Sequence, residues 1–383
     1  MEVFFLDLVN LSITASWLVM AVLLMRLVFR KAPRRIFCIL WGLVALRLIC
    51  PISLESALSL IPSAQPLPQE ILYAASPEIH SGIESIDQLV NPLLSNALSP
   101  APGDSVNPAQ VWSFVLSWLW AAGAAALLLY GAISFLLLKR RVATATLLED
   151  NIKQSERVDT PFVLGLFRPT VYLPYSLAES DLEYVVAHER AHIRRKDHWW
   201  KLLGFVLLAV YWFHPLLWVA YGLLCRDMEL ACDERVIREL EQEERRAYAE
   251  ALLRCAARRQ GLAACPLAFG EVGVKHRIKS VMEYQKPAKW VTVLAIAAAA
   301  AAAVCLMTVP KNEYYTVVPA VTPEDPAAYL FQDGELSQAP DASEILPEEN
   351  SDGENTNSQR PTQTVGGNTT RRHTDGHHAD DHH

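Results

Sequence analysis

The chain has 383 residues, 51% of them hydrophobic, and a formal net charge of −8. A mean hydropathy of +0.15 is unusual for a soluble protein of this size and points to a membrane protein. Seven cysteines, Cys38, Cys50, Cys225, Cys232, Cys255, Cys265 and Cys305, avoid the long polar loop and the tail, which argues against a disulfide framework and for reduced thiols.

Four stretches are apolar enough and long enough to span a hydrocarbon layer of ~30 Å: Val3 to Leu27, Ile36 to Ile52, Val111 to Leu138 and Trp290 to Val309. The second is the shortest and carries Arg47, which is expected either to snorkel to the outer interface or to pair within the bundle. The chain opens Met1-Glu2-Val3 without a basic n-region, and Arg26, Arg30 and Lys31 follow the first apolar run, as in a retained span rather than a cleaved signal. Basic residues set the orientation. Arg30, Lys31, Arg34 and Arg35 mark the first loop as cytoplasmic. No Lys or Arg lies between Arg47 and Lys139, so the loop at 54–110 is expected outside. Lys139, Arg140 and Arg141, then Lys275 to Lys289, place the 139–289 region inside, with the N-terminus and everything after Pro310 outside.

Within 139–289 a hairpin is expected first, with Phe162-Val163-Leu164 turning through Gly165 to Pro169 into Thr170-Val171-Tyr172. Its edge either pairs with an extended peptide substrate or belongs to a small structural sheet. Leu182 to Arg195 reads as a helix containing His188-Glu189-Arg190-Ala191-His192. Histidines four apart project from one helical face, so both imidazoles can bind one Zn²⁺, and Glu189 is placed to take a proton from an attacking water. Tyr184 reads as packing, and Arg195 and Asp197 as an acid-pairing group and a helix cap.

Trp199 to Leu224 is nearly long enough for a further span, but Pro215 near its middle predicts two shorter helices bending at His214-Pro215. His214 is read as a bend residue rather than a metal ligand. On the next helix Glu229 and Asp233 share a face. They are either a third metal ligand and a carboxylate orienting an imidazole, or a solvated face paired with Arg226 and Arg235. Cys225 and Cys232 on the same helix read as buried packing in preference to thiolate ligands.

The order of these words resembles the M56 peptidases, the family of the BlaR and MecR antirepressors. The motif His188 to His192 with Arg195 and Asp197, the Glu229/Asp233 helix, Thr160 to Pro174, Phe213-His214-Pro215-Leu216-Leu217-Trp218, Phe269-Gly270 and Arg277-Ile278-Lys279 carry the likeness, over roughly residues 1–310. The resemblance implies a mainly α membrane protein with four transmembrane helices and a cytoplasmic helical zinc-metallopeptidase domain holding a small hairpin or sheet. It implies that His188, His192 and Glu229 bind Zn²⁺ and that Glu189 is the catalytic base. Its implied work is cytoplasmic proteolysis in the bacterial plasma membrane that inactivates a transcriptional repressor. The partners expected are membrane lipid, a protein substrate such as a winged-helix repressor, the chain itself through self-cleavage near Ala268-Phe269-Gly270, and a second copy in a homodimer; no direct nucleic-acid partner is expected. The chain departs from the known receptors after residue 310. About seventy residues there, rich in Asp, Glu, Pro, Asn and Thr, contain no Ser-x-x-Lys word of a penicillin-binding sensor and read as a disordered tail. Its closing histidines and aspartates, His373 to His383, read as solvated rather than metal-binding. The competing functional class is a membrane transducer or scaffold that keeps the peptidase fold without catalysis.

Overall fold

The computed structural model describes residues 1–50, 54–63, 65–74, 76–100, 107–257 and 273–310, with the backbone of two short strands beyond. The chain divides into a unit at 1–315 and a second at 316–383. Of the second, strands Leu330–Gln332 and Glu335–Ser337 pair antiparallel. The rest of the expected tail, and the expected cleavage position at Ala268-Phe269-Gly270, lie outside the described residues.

The larger unit is mainly helical. Three helices among the described residues are long and apolar enough to cross a membrane: α1 (Glu2–Val28), α4 (Pro108–Arg141) and α10 (Lys289–Met307). The expected second span folds as α2 (Arg34–Ile49), whose 16 residues fall short of that length. At 1.5 Å per residue it reaches about 24 Å, against a hydrocarbon layer of ~30 Å. Arg47 does not snorkel outward, because it lies inside the bundle at 2% exposure.

The bundle has two distinct ends. At one, Asn10 on α1 exchanges two hydrogen bonds with the backbone of Leu67. At that end too, strand β1 (Leu54–Glu55), which follows α2, pairs with β6 (Thr308–Val309) at the end of α10. The described residues between β1 and α4 also include helix α3 (Glu84–Leu98). At the other end, Arg26 of α1 donates to Asp227 at 2.9 and 3.2 Å, and Trp41 of α2 donates to the same carboxylate at 3.0 Å. Asp227 is fully buried on α7 (Pro215–Ile237), so this charge-assisted clamp fixes α7 to the first two helices two residues before Glu229.

The 199–224 stretch forms two helices, α6 (Asp197–Val210) and α7, with Pro215 opening α7 where its missing N–H costs no hydrogen bond. His214 sits in the bend, its Nε2 3.0 Å from Ser16 Oγ. Helix α4 docks on this pair through glycines. A Cβ on Gly123 would lie 2.3 Å from the Trp212 ring, and one on Gly131 2.4 Å from Phe205. Beside that contact Trp120 Nε1 donates to Val210 O at 2.7 Å and Trp212 Nε1 donates to Trp120 O at 3.1 Å. We expect Gly123→Ala to destabilise the chain by about 1–3 kcal/mol through overpacking, read as a lowered unfolding temperature in detergent. An equal substitution at Gly222, which has nothing within 4 Å, is expected to leave packing intact.

Between α4 and α5 (Glu179–Arg195) lies a four-stranded sheet in the order β2-β3-β5-β4, where a small hairpin or sheet was expected. Strands β2 (Thr146–Glu149) and β3 (Ile152–Ser155) are the addition; β4 (Phe162–Leu164) and β5 (Thr170–Pro174) are the expected pair, antiparallel with Val163 opposite Val171. Strands β3 and β5 run parallel. Val171 and Leu173 pack on Val185 of α5, which seats the sheet against the helix carrying His188 and His192. Strand β4 is an edge strand on the side that contacts α5.

Candidate metal centre

Helix α5 follows the macrodipole rule, with Glu179 and Asp181 in its first turn and His192, Arg194 and Arg195 in its last. Asp181 also receives Arg254 of α8 (Gln242–Ala257) at 2.6 and 2.8 Å, holding the two helices together. The helix stops at Lys196, whose left-handed φ of 59° turns the chain directly into α6. That tight junction brings Asp197 back under His192, with its Oδ2 2.8 Å from Nδ1. Asp197 therefore makes no helix cap, contrary to expectation. It holds an imidazole and receives Arg195 Nε at 3.2 Å.

On the opposite ring nitrogens three atoms converge. His188 Nε2 and His192 Nε2 are 3.2 Å apart, and each is 3.5 Å from Glu229 Oε2. Metal–ligand bonds of about 2.0–2.1 Å at tetrahedral angles put neighbouring ligand atoms about 3.3 Å apart. The three side chains thus form one face of a zinc-sized tetrahedron, and Arg277 Nη2 borders it 3.3 Å from His188 Nε2. All three are buried, at 5, 8 and 6% exposure. Glu189, also buried, makes no hydrogen bond or ion pair among the described residues.

The surrounding hydrogen bonds fix the tautomers such a metal needs. His192 can donate from Nδ1 to Asp197, which leaves Nε2 as a lone pair. His188 Nδ1 lies 2.9 Å from Tyr248 Oη, and that hydroxyl donates to Asp233 Oδ1 at 2.6 Å, so a proton chain runs from His188 through Tyr248 to Asp233. Asp233 in turn receives Arg277 of α9 (Val274–Met282), Nε at 2.8 Å and Nη2 at 2.7 Å, in a bidentate pair. Arg277 Nη1 also lies 3.3 Å from Glu229 Oε2, while Lys201 Nζ sits 3.1 Å from Glu229 Oε1. The solvated-face reading of Glu229 and Asp233 fails, since both are buried and their cations are Lys201 and Arg277 rather than Arg226 and Arg235.

Electrostatics at the face favour a cation. Burial pushes both imidazoles down, yet the groups around them win. Cys232, Glu229 and Asp197 hold His192 well above its ordinary value, and Asp233 and Glu229 raise His188 despite Arg277. Burial would raise Glu229, but Lys201 and His192 hold its carboxyl well below the usual range. A second group, His192, Asp197 and Cys232, also brings three ligand-type atoms together. There burial pushes the Cys232 thiol up to about 11, and Sγ donates to Asp197 Oδ2 at 3.2 Å. A protonated thiol beside a carboxylate already held by Arg195 makes this the weaker candidate.

A family profile described as BlaR1 peptidase M56 matches residues 6–281. The chain belongs to the M56 peptidase family. Among its relatives are the methicillin resistance mecR1 proteins of Staphylococcus aureus and Staphylococcus epidermidis, each 28% identical over 146 residues, 36% of this chain and 25% of theirs. The regulatory protein BlaR1 of Bacillus licheniformis is 28% identical over 141 residues, 35% of this chain and 24% of that protein. The matched part thus spans about a quarter of these relatives' length.

Three contributors to this candidate centre escaped the sequence reading. Tyr248 stands in no recognisable word, and nothing but the fold brings α8 against α5. Lys201 hides in an apolar run, where a lone cation could have signalled a buried acid. Arg277 was visible only as part of Arg277-Ile278-Lys279, without a role. We expect Tyr248→Phe to keep the fold and lower zinc affinity about 10–100-fold, because His188 loses the partner that fixes its ring, as measured by competition with a chromophoric chelator. Unchanged affinity would mean that Asp233, whose Oδ1 is 3.3 Å from His188 Nδ1, orients the ring alone.

Proposed function

We propose that the chain is a membrane-embedded zinc endopeptidase that cuts a protein substrate at the cytoplasmic face and thereby relays a signal to a transcriptional repressor. The observation that carries this reading is the tetrahedral face of His188, His192 and Glu229, with Glu189 buried on the same helix as the two histidines and uncommitted among the described residues. A structural zinc site is normally closed by a fourth protein ligand and needs no base. A set of three such ligands, with a carboxylate one residue from His188 that is not among them, therefore favours catalysis over the transducer or scaffold alternative.

Zn²⁺ held there would polarise the scissile carbonyl and bring a water's pKa towards ~7. The chain's own residues would do the rest. Asp197 and the Tyr248–Asp233 pair hold the two rings in register, and Lys201 keeps Glu229 anionic. Glu189 takes the proton of the attacking water and passes it to the leaving amine. Strand β4, an edge strand that contacts α5, offers backbone groups for an extended substrate to pair with.

The membrane reading rests on α1, α4 and α10, with α2 running between the same two ends of the bundle as a shorter fourth crossing. Basic residues gather at the end where Arg26 meets Asp227, and the metal centre lies on that side, which supports a cytoplasmic site and outside termini. The test is cleavage of a co-reconstituted winged-helix repressor in liposomes. Chelation should abolish cleavage and added zinc restore it; cleavage that persists in chelator contradicts the reading.

A further inference from the structure

A second site lies apart from the metal centre. Between the inner ends of α1 and α2, the middle of α7, helix α9 and the start of α10 is an open cavity of about 1170 Å³. Among the described residues, seven Lys or Arg side chains line it against two carboxylates, Glu234 and Glu283. Among the described residues, little of that positive charge is neutralised by acidic groups. Arg26 is taken by Asp227, and Lys279 reaches Glu283 only at 3.9 Å on the exposed surface. Glu234 accepts the backbone N–H of Arg34 at 2.9 Å, which leaves that guanidinium to lie over the Phe37 ring. Arg226 keeps a buried Nε with no hydrogen-bond partner among the described residues. The local field registers on His276, which burial and then Arg226, Arg34, Arg26 and Lys279 hold below its ordinary value.

Such a concentration of like charge is costly unless an anion completes it. The rim identifies the anion's source. Leu27 is 60% exposed on α1 and Trp290 70% exposed at the start of α10, both lining the cavity where these helices enter the apolar layer. A ligand seated here would meet cations at one end and a lipid-facing apolar edge with an interfacial Trp at the other. The volume admits a glycerophosphate headgroup with its first acyl carbons.

We propose that this cavity binds the phosphate headgroup of an anionic phospholipid, tying α9, and with it Arg277, to the inner leaflet. The proposal goes beyond the peptidase reading and shares with it the membrane orientation alone, α1 and α10 lying in a bilayer with this end at the inner leaflet.

The test is native mass spectrometry of the full chain released from micelles containing short-chain phosphatidylglycerol, phosphatidylcholine or inorganic phosphate. Phosphatidylglycerol should remain bound through activation that strips phosphatidylcholine. Arg226→Gln/Lys279→Gln should weaken its retention about tenfold or more. Lys279→Gln/Lys286→Gln removes two exposed cations that no core packing needs, so it decides the matter if the first pair fails to fold. The pair Arg140→Gln/Arg141→Gln, exposed at the inner end of α4 and outside the cavity, should retain lipid like the unaltered chain. Equal retention of phosphatidylcholine, an equal loss in the 140/141 pair, or retention of inorganic phosphate as strong as that of the lipid would overturn the proposal.

Discussion

Replacing Glu189 with Gln should lower peptide-bond cleavage by about 10²–10⁴-fold while leaving zinc content unchanged. The amide is nearly isosteric with the carboxylate, so α5 and its two imidazoles should stay where they are. It cannot accept a proton, however, and among the described residues the carboxylates around the two histidines are already engaged. Asp197 is committed to His192 and Arg195, Asp233 to Tyr248 and Arg277, and Glu229 to Lys201 and the two histidines. The assay is cleavage of a defined substrate by variant and unaltered chain at equal zinc occupancy. A variant within a few-fold of the unaltered chain would remove Glu189 from the chemistry and leave the transducer reading standing.

The second large effect is expected at Arg277, which is 1% exposed. Arg277→Met strands Asp233 without its bidentate partner and takes one of two cations from Glu229. Removing one member of a buried pair typically costs about 3–5 kcal/mol, because the other charge stays desolvated. The variant should therefore unfold at clearly lower temperature in metal-free buffer. Zinc should recover part of the loss, by replacing the missing charge beside Glu229. The double variant Asp233→Asn/Arg277→Met should lose less than the two single losses combined.

The pair also sets a pH dependence. Burial would raise Asp233, yet Arg277 and His188 hold it well below the ordinary carboxylate value, so its folded pKa is depressed. Its stabilisation is present above the unfolded pKa of about 3.9 and is lost as pH falls through the folded value. The stability gap between the chain and Asp233→Asn should be full at neutral pH and shrink below about pH 4. A gap that stays constant through that range would show that the pair contributes through packing.

What could be read beforehand was what is periodic or local. His188 and His192 advertise themselves because the helix repeat alone puts them on one face. The apolar runs now seen as α1, α4 and α10 need only length and composition. The break before α7 follows from Pro215. Elements whose meaning depends on tertiary neighbours were not legible. Strands β2 and β3 are short, and β2 is exposed along its length, so alternation gave no signal. Asp197 looked like a helix cap because its role depends on the left-handed turn at Lys196. Glu229 and Asp233 were ambiguous between a solvated face and a buried site, and only the arrival of α8 and α9 over them decides it.

The most direct test of the account is X-ray absorption at the zinc edge on the purified, zinc-loaded chain. One zinc per chain is expected, with only nitrogen and oxygen neighbours at about 2.0–2.1 Å, unchanged in Cys232→Ser. A sulfur neighbour at about 2.3 Å, lost in Cys232→Ser, would move the metal to the His192, Asp197 and Cys232 group and contradict the proposed centre.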